Sequence, residues 1–389
     1  MAAQIQETLR AETSGDGGTG SLMDRVASTS AAAYESQTVA RINEEAMAKF
    51  VDGGGVPLDK YKRAAARVPL PLKFDDTAQE INFHSLVALL SFGGAHEPEL
   101  LRLTGSSVED AAKFGLIGSH LSRERLDATW MKNAHVGSIS ESFKIPVRED
   151  APSTIPGVTV DRPGALVSHA QALCSVLNET GEALLSRGYT DMAQFILHSA
   201  RSDPGVGGLV RSLSGALPAF QDTETVNGCE VPMLKNAQAS ETRGLQSLVL
   251  AGDLSARMGK AVEDLRFSDC STLTAVADAD IITALTTLGI LEPSSATATA
   301  ASADGAPRDD GELGGTTAKA NGGVGTGPSF KPEDTAALRA AAVQACHRLA
   351  ESLGEEYRPH ELSLYLKRLS RRKESKDVPR FVPRESRAL

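Results

Sequence analysis

The stretch LVSHAQALCSVLNETGEALL, from Leu166 to Leu185, decides the fold class. Its apolar residues Leu166, Ala170, Leu173, Leu177 and Leu184 recur at steps of three, four and seven, which puts them on one face of a helix and fits no strand. Asp161 and Pro163 just upstream fit an N-cap and a first-turn proline, so the spacing predicts a helix beginning there. Ile281, Leu285 and Leu288 repeat the stripe, with Gly289 placed to end it. Leu338, Ala342, Cys346, Leu349 and Leu353 form another, and helical spacing starts in ESQTVARINEEAMAKFV, from Glu35. Strand signals are short. The run VNGCEVPML permits a small hairpin at Asn227–Gly228. The expected class is all-α, with at most a minor β element.

Two stretches lack the large apolar residues that a core needs. Met1–Ser30 is Gly, Ser, Thr and Ala with scattered charge, and Ser294–Pro328 reads SSATATAASADGAPRDDGELGGTTAKANGGVGTGP. Neither buries enough surface to offset its ordering entropy, so both are expected to be disordered. A helical domain over 31–389, interrupted at 294–328, remains. The Gly-rich strings GGTG and GGVGTG fall in these two stretches, without a preceding strand or a following G-K-[ST], and read as linkers rather than phosphate loops.

Composition excludes several functions. A net charge of -10 argues against a generic grip on a nucleic-acid backbone, which works by neutralising phosphates. It leaves room for a local basic pocket and a small phosphorylated ligand. Cys174, Cys229, Cys270 and Cys346 form no C-x-x-C pair and the histidines no metal-ligand spacing, so reduced thiols, no metal and no cofactor are expected. No apolar run reaches the ~18 residues of a membrane span. The first residues carry acidic groups and lack an apolar core, so the expected address is the cytosol. The basic run LKRLSRRKESK, Leu366–Lys376, reads as a solvated helical face.

Three blocks in fixed order, LNETGEALL at Leu177–Leu185, a second at Leu209–Gln238 and a third at Ser271–Leu291, resemble those of the queuosine-salvage family. LNETGEALL, Leu177–Leu185, resembles its core helix. LVRSLSGALPAFQDTETVNGCEVPMLKNAQ, Leu209–Gln238, resembles a Leu-Val helix, a Phe-Pro-Ser-Tyr-Arg-Asp-like turn and an aromatic-Lys-Arg-Ala-Gln helix start. STLTAVADADIITALTTLGIL, Ser271–Leu291, resembles Thr-x-Phe-Ala-Asp-Tyr-Arg-x-Pro followed by Leu-x-x-Leu-Gly-x-Leu. Fainter echoes are Ile81-Asn82-Phe83 and LRAAAVQACHRL, where Arg339 falls on the family's arginine.

The resemblance implies a helical N-glycosidase fold, akin to helical DNA glycosylases, with a buried pocket for queuosine 5'-phosphate or a related nucleotide. Its hydrolysis would release queuine for transfer-RNA modification, with no direct nucleic-acid partner; the oligomeric state is not implied. Asp278 matches the catalytic aspartate, a suitable group because C–N cleavage passes through an oxocarbenium-like state that a carboxylate stabilises. Lys235 matches the motif lysine, suited to a phosphate or leaving group. Asp253 would read the base's donor edge, Asn82 and Arg339 would contact substrate, and Phe83 and Trp130 would stack on a flat base. Convergence of Asn82, Phe83, Lys235, Asp253 and Asp278 on one pocket is expected. The same residues have plainer readings: Asp278 as the cap of the next helix, Phe83 and Trp130 as core aromatics, Lys235 and Asp253 as surface charges.

The chain also departs from the pattern. The family's Tyr-Arg after the aspartate is Ala279-Asp280, its Pro is Ile282, and its Glu-Ile-Arg is Ala337-Leu338-Arg339. Its C-terminal Asp-x-x-Leu-Trp is Ser363-Leu364-Tyr365-Leu366-Lys367. A re-specialised or inactive nucleotide-binding relative, or a helical scaffold without a pocket, fits such departures as well. Limited proteolysis should cut first within 1–30 and 294–328 and leave a stable helical remainder; digestion of the core with both stretches protected would contradict this organisation.

Overall fold

The computed structural model describes residues 22–65, 71–153, 159–220, 224–226, 229–231, 245–294, 326–330, 332–370 and 380–383. In chain order the elements are α1 (Leu22–Ser36), β1 (Ala40–Ile42), α2 (Glu44–Asp52), α3 (Leu58–Ala65), α4 (Thr77–Leu90), α5 (Glu97–Thr104), α6 (Val108–Leu121), α7 (Ala128–Lys132) and α8 (Val136–Phe143). Then come β2 (Arg148–Pro152), β3 (Thr159–Pro163), α9 (Val167–Ser186), α10 (Met192–Ser202), α11 (Val206–Ala216), β4 (Glu224–Val226), β5 (Cys229–Val231) and α12 (Leu245–Met258). The last are α13 (Ala279–Thr287), β6 (Leu291–Pro293), β7 (Thr326–Phe330), α14 (Pro332–Leu353), α15 (Pro359–Ser370) and β8 (Arg380–Pro383). Among the described residues the molecule is mainly helical, and the strands form only two-stranded pairs: β1–β6, β2–β3, β4–β5 and β7–β8.

The structure corrects the sequence reading in three places. The first helix begins at Leu22, inside the stretch expected to be disordered, because Met23, Val26, Ser30 and Ala33 are buried at helical steps. Asp161 and Pro163 do not start a helix: they lie in β3, antiparallel to β2, Asp161 opposite Asp150 in the register with its carboxylate ion-paired to the Arg148 side chain, and α9 begins at Val167. Proline is tolerated there because the pair is all edge. Third, β7 starts at Thr326, within the expected insertion, and runs parallel to β8. The expected hairpin is present as β4 and β5, although residues 227–228 at its turn lie outside the described set, as do 1–21 and 295–325.

Two compact units emerge. The first draws on the chain up to Ser28, on Ala66–Glu224 and on Glu230–Thr274; the second draws on Thr29–Ala65, Thr225–Cys229 and Ala275–Leu389.

Helix α4 is the centre of the first unit and packs against α6, α10 and α12. Ile81 to Leu86 are all buried, together with Leu89 and Leu90, the pattern of a helix covered on every side. Asn82 survives there because both ends of its amide are used: Nδ2 donates to the Leu126 carbonyl at 2.7 Å and Oδ1 accepts from the Met192 amide at 3.1 Å. A buried amide without such partners costs several times the net worth of one hydrogen bond.

The LNETG motif has a local physical cause. On α9, Asn178 Nδ2 lies 2.9–3.0 Å from the carbonyls of Met131, Lys132 and Ala134, the free carbonyl end of the short α7. One turn on, a Cβ on Gly181 would lie 2.5 Å from the Ala128 carbonyl and the Lys132 amide. Glycine is needed because the α7 backbone itself occupies that space, and backbone cannot rotate away. Thr180 and Leu184 bury alongside.

Helix α14 is the centre of the second unit. Leu338 to Val343, Ala345, Cys346, Leu349 and Ala350 are all buried, and α14 packs against α2, α13, α15 and β1. Asp278 caps α13, and Gly289 beyond its end adopts φ +69°, a left-handed geometry that favours glycine. β6 then returns to pair antiparallel with β1, Ile42 opposite Leu291.

Gly181→Ala should lower stability by ~2–3 kcal/mol, the upper part of the overpacking range. Gly118→Ala on α6, where a Cβ meets nothing within 4 Å, should be neutral or stabilising by up to ~1 kcal/mol. Urea titration of the two variants beside the wild type checks this; equal stability of Gly181→Ala and wild type would refute the close-approach account.

Candidate functional site

The most distinctive chemistry of the second unit lies in Ala275–Asp278, four buried residues without helical hydrogen bonding that lead into α13. Buried backbone outside regular structure must find side-chain partners. Here α15 and α14 supply them. Ser363 Oγ accepts from the Val276 amide at 3.2 Å, and Arg339 Nε donates to the Ala277 carbonyl at 3.0 Å. Arg339 is 4% exposed, so this guanidinium belongs to the interior.

Asp278 ends the segment. Its backbone is extended, at φ −110° and ψ 178°, and Oδ1 accepts from the Ile281 amide at 3.0 Å as the N-cap of α13. Oδ2 forms an ion pair with Lys367 Nζ at 2.9 Å. The carboxylate is 7% exposed and the lysine 29%. Cys346 of α14 faces the same group: burial, and secondarily the negative charge of Asp278, pushes its thiol up to about 12. It is therefore protonated at any physiological pH. The arrangement is a buried, oriented carboxylate with one neutral donor and one cationic partner, suited to facing developing positive charge or activating water.

Of the other residues singled out from the sequence, four lie in the first unit. Asn82 makes the two internal bonds already described. Phe83 is 1% exposed, its ring 5.5 Å from Phe74 and 5.9 Å from His120. Asp253 on α12 pairs with Arg257 at 2.7 Å, each side chain 18% exposed. Across from them on α4, burial, then the Arg257 charge, lowers His84 to about 4 and leaves its imidazole neutral. Trp130 donates its indole N–H to Glu124 at 3.2 Å and lines an open depression of about 550 Å³ with Asn133, His135 and Lys144. Asn82 and Phe83 are thus neighbours on α4, and α12, which carries Asp253, packs on that helix. Asp278 and Arg339 come together in the second unit. Lys235 lies outside the described residues. Among the described residues no three His, Cys, Asp or Glu side chains gather as a metal site requires, and no helix is long and apolar enough to cross a membrane.

Sequence reasoning missed Lys367, Ser363 and Cys346. Lys367 falls in the basic run expected to be a solvated face; instead its ammonium turns inward to Asp278. The signal was present. His360, Ser363, Lys367 and Ser370 recur at steps of three, four and three on α15, and His360, Ser363 and Ser370 are buried. A stripe of polar residues at core spacing marks a face that answers buried polar groups elsewhere.

No curated protein matches the chain. Residues 151–304 match a family model; this range takes in α9 with its LNETG motif, the helix-capping Asp278 and all of α13. The matched model is that of the queuosine salvage protein, the family that the three sequence blocks resemble.

Proposed function

We propose that the chain hydrolyses the N-glycosidic bond of queuosine 5'-phosphate and releases queuine, with Asp278 as the carboxylate of the reaction. The observation that carries this reading is a carboxylate 7% exposed yet held by both a backbone amide and an ammonium. Burying an ionised carboxylate is costly. A cap alone would work equally well at a solvated helix end, so the costly placement favours a chemical role.

In this reading the C–N bond breaks with its electron pair going to the base nitrogen. The ribosyl carbon gains oxocarbenium character opposite the Asp278 carboxylate, and a water oxygen then bonds to that carbon. Asp278 takes a proton from this water and releases it through solvent as the departing base nitrogen takes one up, so that one water in all is consumed, Asp278 is again ionised, and queuine and ribose 5-phosphate remain. A carboxylate accepts at about four positions, so a cap bond and an ion pair are compatible with a further bond to water. Lys235 is the proposed partner of the 5'-phosphate. Arg339 acts through the Ala277 carbonyl, fixing the segment on which Asp278 sits.

The test is to incubate the wild type with queuosine 5'-phosphate and with ordinary nucleotides, following released base by mass. Base release should be confined to queuosine 5'-phosphate or close analogues. Asp278→Asn retains the cap and removes the charge, so turnover should fall at least ~10²-fold. Its melting temperature should fall modestly, because Lys367 is partly exposed and can turn to solvent. An Asn variant as active as the wild type would rule out the catalytic assignment. Tight binding of the nucleotide by a wild type that never releases base would point to an inactive relative.

A further inference from the structure

We propose that Lys367 is a positioning residue for this reaction, fixing both the direction and the negative charge of Asp278; the inference rests on Asp278 being the reacting carboxylate. Two contacts one helical turn apart carry it. Ser363 and Lys367, at i and i+4 on α15, therefore lie on the same face of that helix. Ser363 holds the Val276 amide at 3.2 Å, and Lys367 holds Asp278 Oδ2 at 2.9 Å. One helix thus grips the buried segment before the carboxylate and the carboxylate itself. From α14, Arg339 grips the Ala277 carbonyl at 3.0 Å.

The charged and titratable groups around Asp278 assign the roles. On α14, Arg339 directs its Nε to a carbonyl, and Cys346 is a neutral thiol. Asp280 is the acid nearest along α13. On α15, Lys367 places a full positive charge on a carboxylate oxygen. A carboxylate buried to this degree tends to take up a proton and lose its charge unless a cation faces it. A protonated Asp278 could neither accept a proton from water nor stabilise an oxocarbenium. The ion pair also restricts rotation of the carboxylate about its Cβ–Cγ bond, since each oxygen has its own partner. A solvated lysine on a basic helical face would do neither.

The experiment compares Lys367→Met, Lys367→Gln and Lys367→Arg with the wild type, measuring kcat, KM, the pH profile of kcat and thermal melting. Methionine keeps the length and removes the charge, glutamine keeps a hydrogen bond without charge, and arginine keeps the charge. Lys367→Met and Lys367→Gln should lose about 10- to 100-fold in kcat with KM within about twofold, the pattern for a group acting in the transition state. The acid limb of their kcat profiles should move to higher pH, because the unpaired buried carboxylate protonates more readily. Lys367→Arg should recover most of kcat and return the acid limb towards its wild-type position. If the methionine and glutamine variants keep wild-type kcat and an unmoved acid limb while Asp278→Asn is inactive, the inference falls and the proposed reaction stands. A drop in melting temperature with no change in the pH profile likewise overturns it in favour of a purely structural pair. A wild type that releases no base, or an active Asp278→Asn, overturns the reaction and this inference together.

Discussion

A helical protein must satisfy backbone polar groups wherever its helices stop, and that constraint shapes the interior of this molecule. In the first unit the demand is met by two asparagines. Asn82 bridges the Leu126 carbonyl and the Met192 amide, and Asn178 meets the carbonyl end of α7. In the second unit it is met by Arg339 and Ser363, which hold the segment before α13. Each is a polar side chain on an otherwise buried helix face, and each is retained because removing it would strand a desolvated backbone group. Close packing of α9 on α7, with glycine at the contact, is possible because that polar account balances.

The same constraint explains why one residue is both a helix cap and a buried ion-pair partner. The Ala275–Asp278 segment is buried, so whatever caps α13 is buried with it. Serine or threonine would cap α13 without burying a charge. The chain instead places an aspartate there and supplies a lysine from α15, which restricts substitution at both positions.

Helical periodicity made most of the fold legible. The stripes at Leu166–Leu184, Ile281–Leu288 and Leu338–Leu353 fall on helices, with Leu166 and Leu288 at the capping positions of theirs, and Asp278 was recognisable as a cap from its place before one of them. The start of α9 was misread because Asp161 followed by Pro163 suits a helix start and an isolated strand pair equally well. Only the pairing of β3 with β2 distinguishes them. Lys367 was misread for a related reason. Its neighbours in sequence are basic, so local composition says solvent, and its partner Asp278 is remote in the chain. Short-range signals carry period and punctuation; they do not carry the identity of a distant electrostatic partner.

Two thiols give the molecule an internal record of its own opening. Cys174 on α9 is buried in the first unit, its thiol pushed up to about 11 by burial. Cys346 on α14 is buried in the second, its thiol pushed up to about 12. A sulfur that is both covered and protonated reacts with an alkylating reagent only when its surroundings come apart, since the thiolate is the nucleophile. Labelling at Cys174 therefore counts excursions of one unit and labelling at Cys346 counts excursions of the other. From a single unmodified sample, the ratio of the two rates would state whether the units open together or independently.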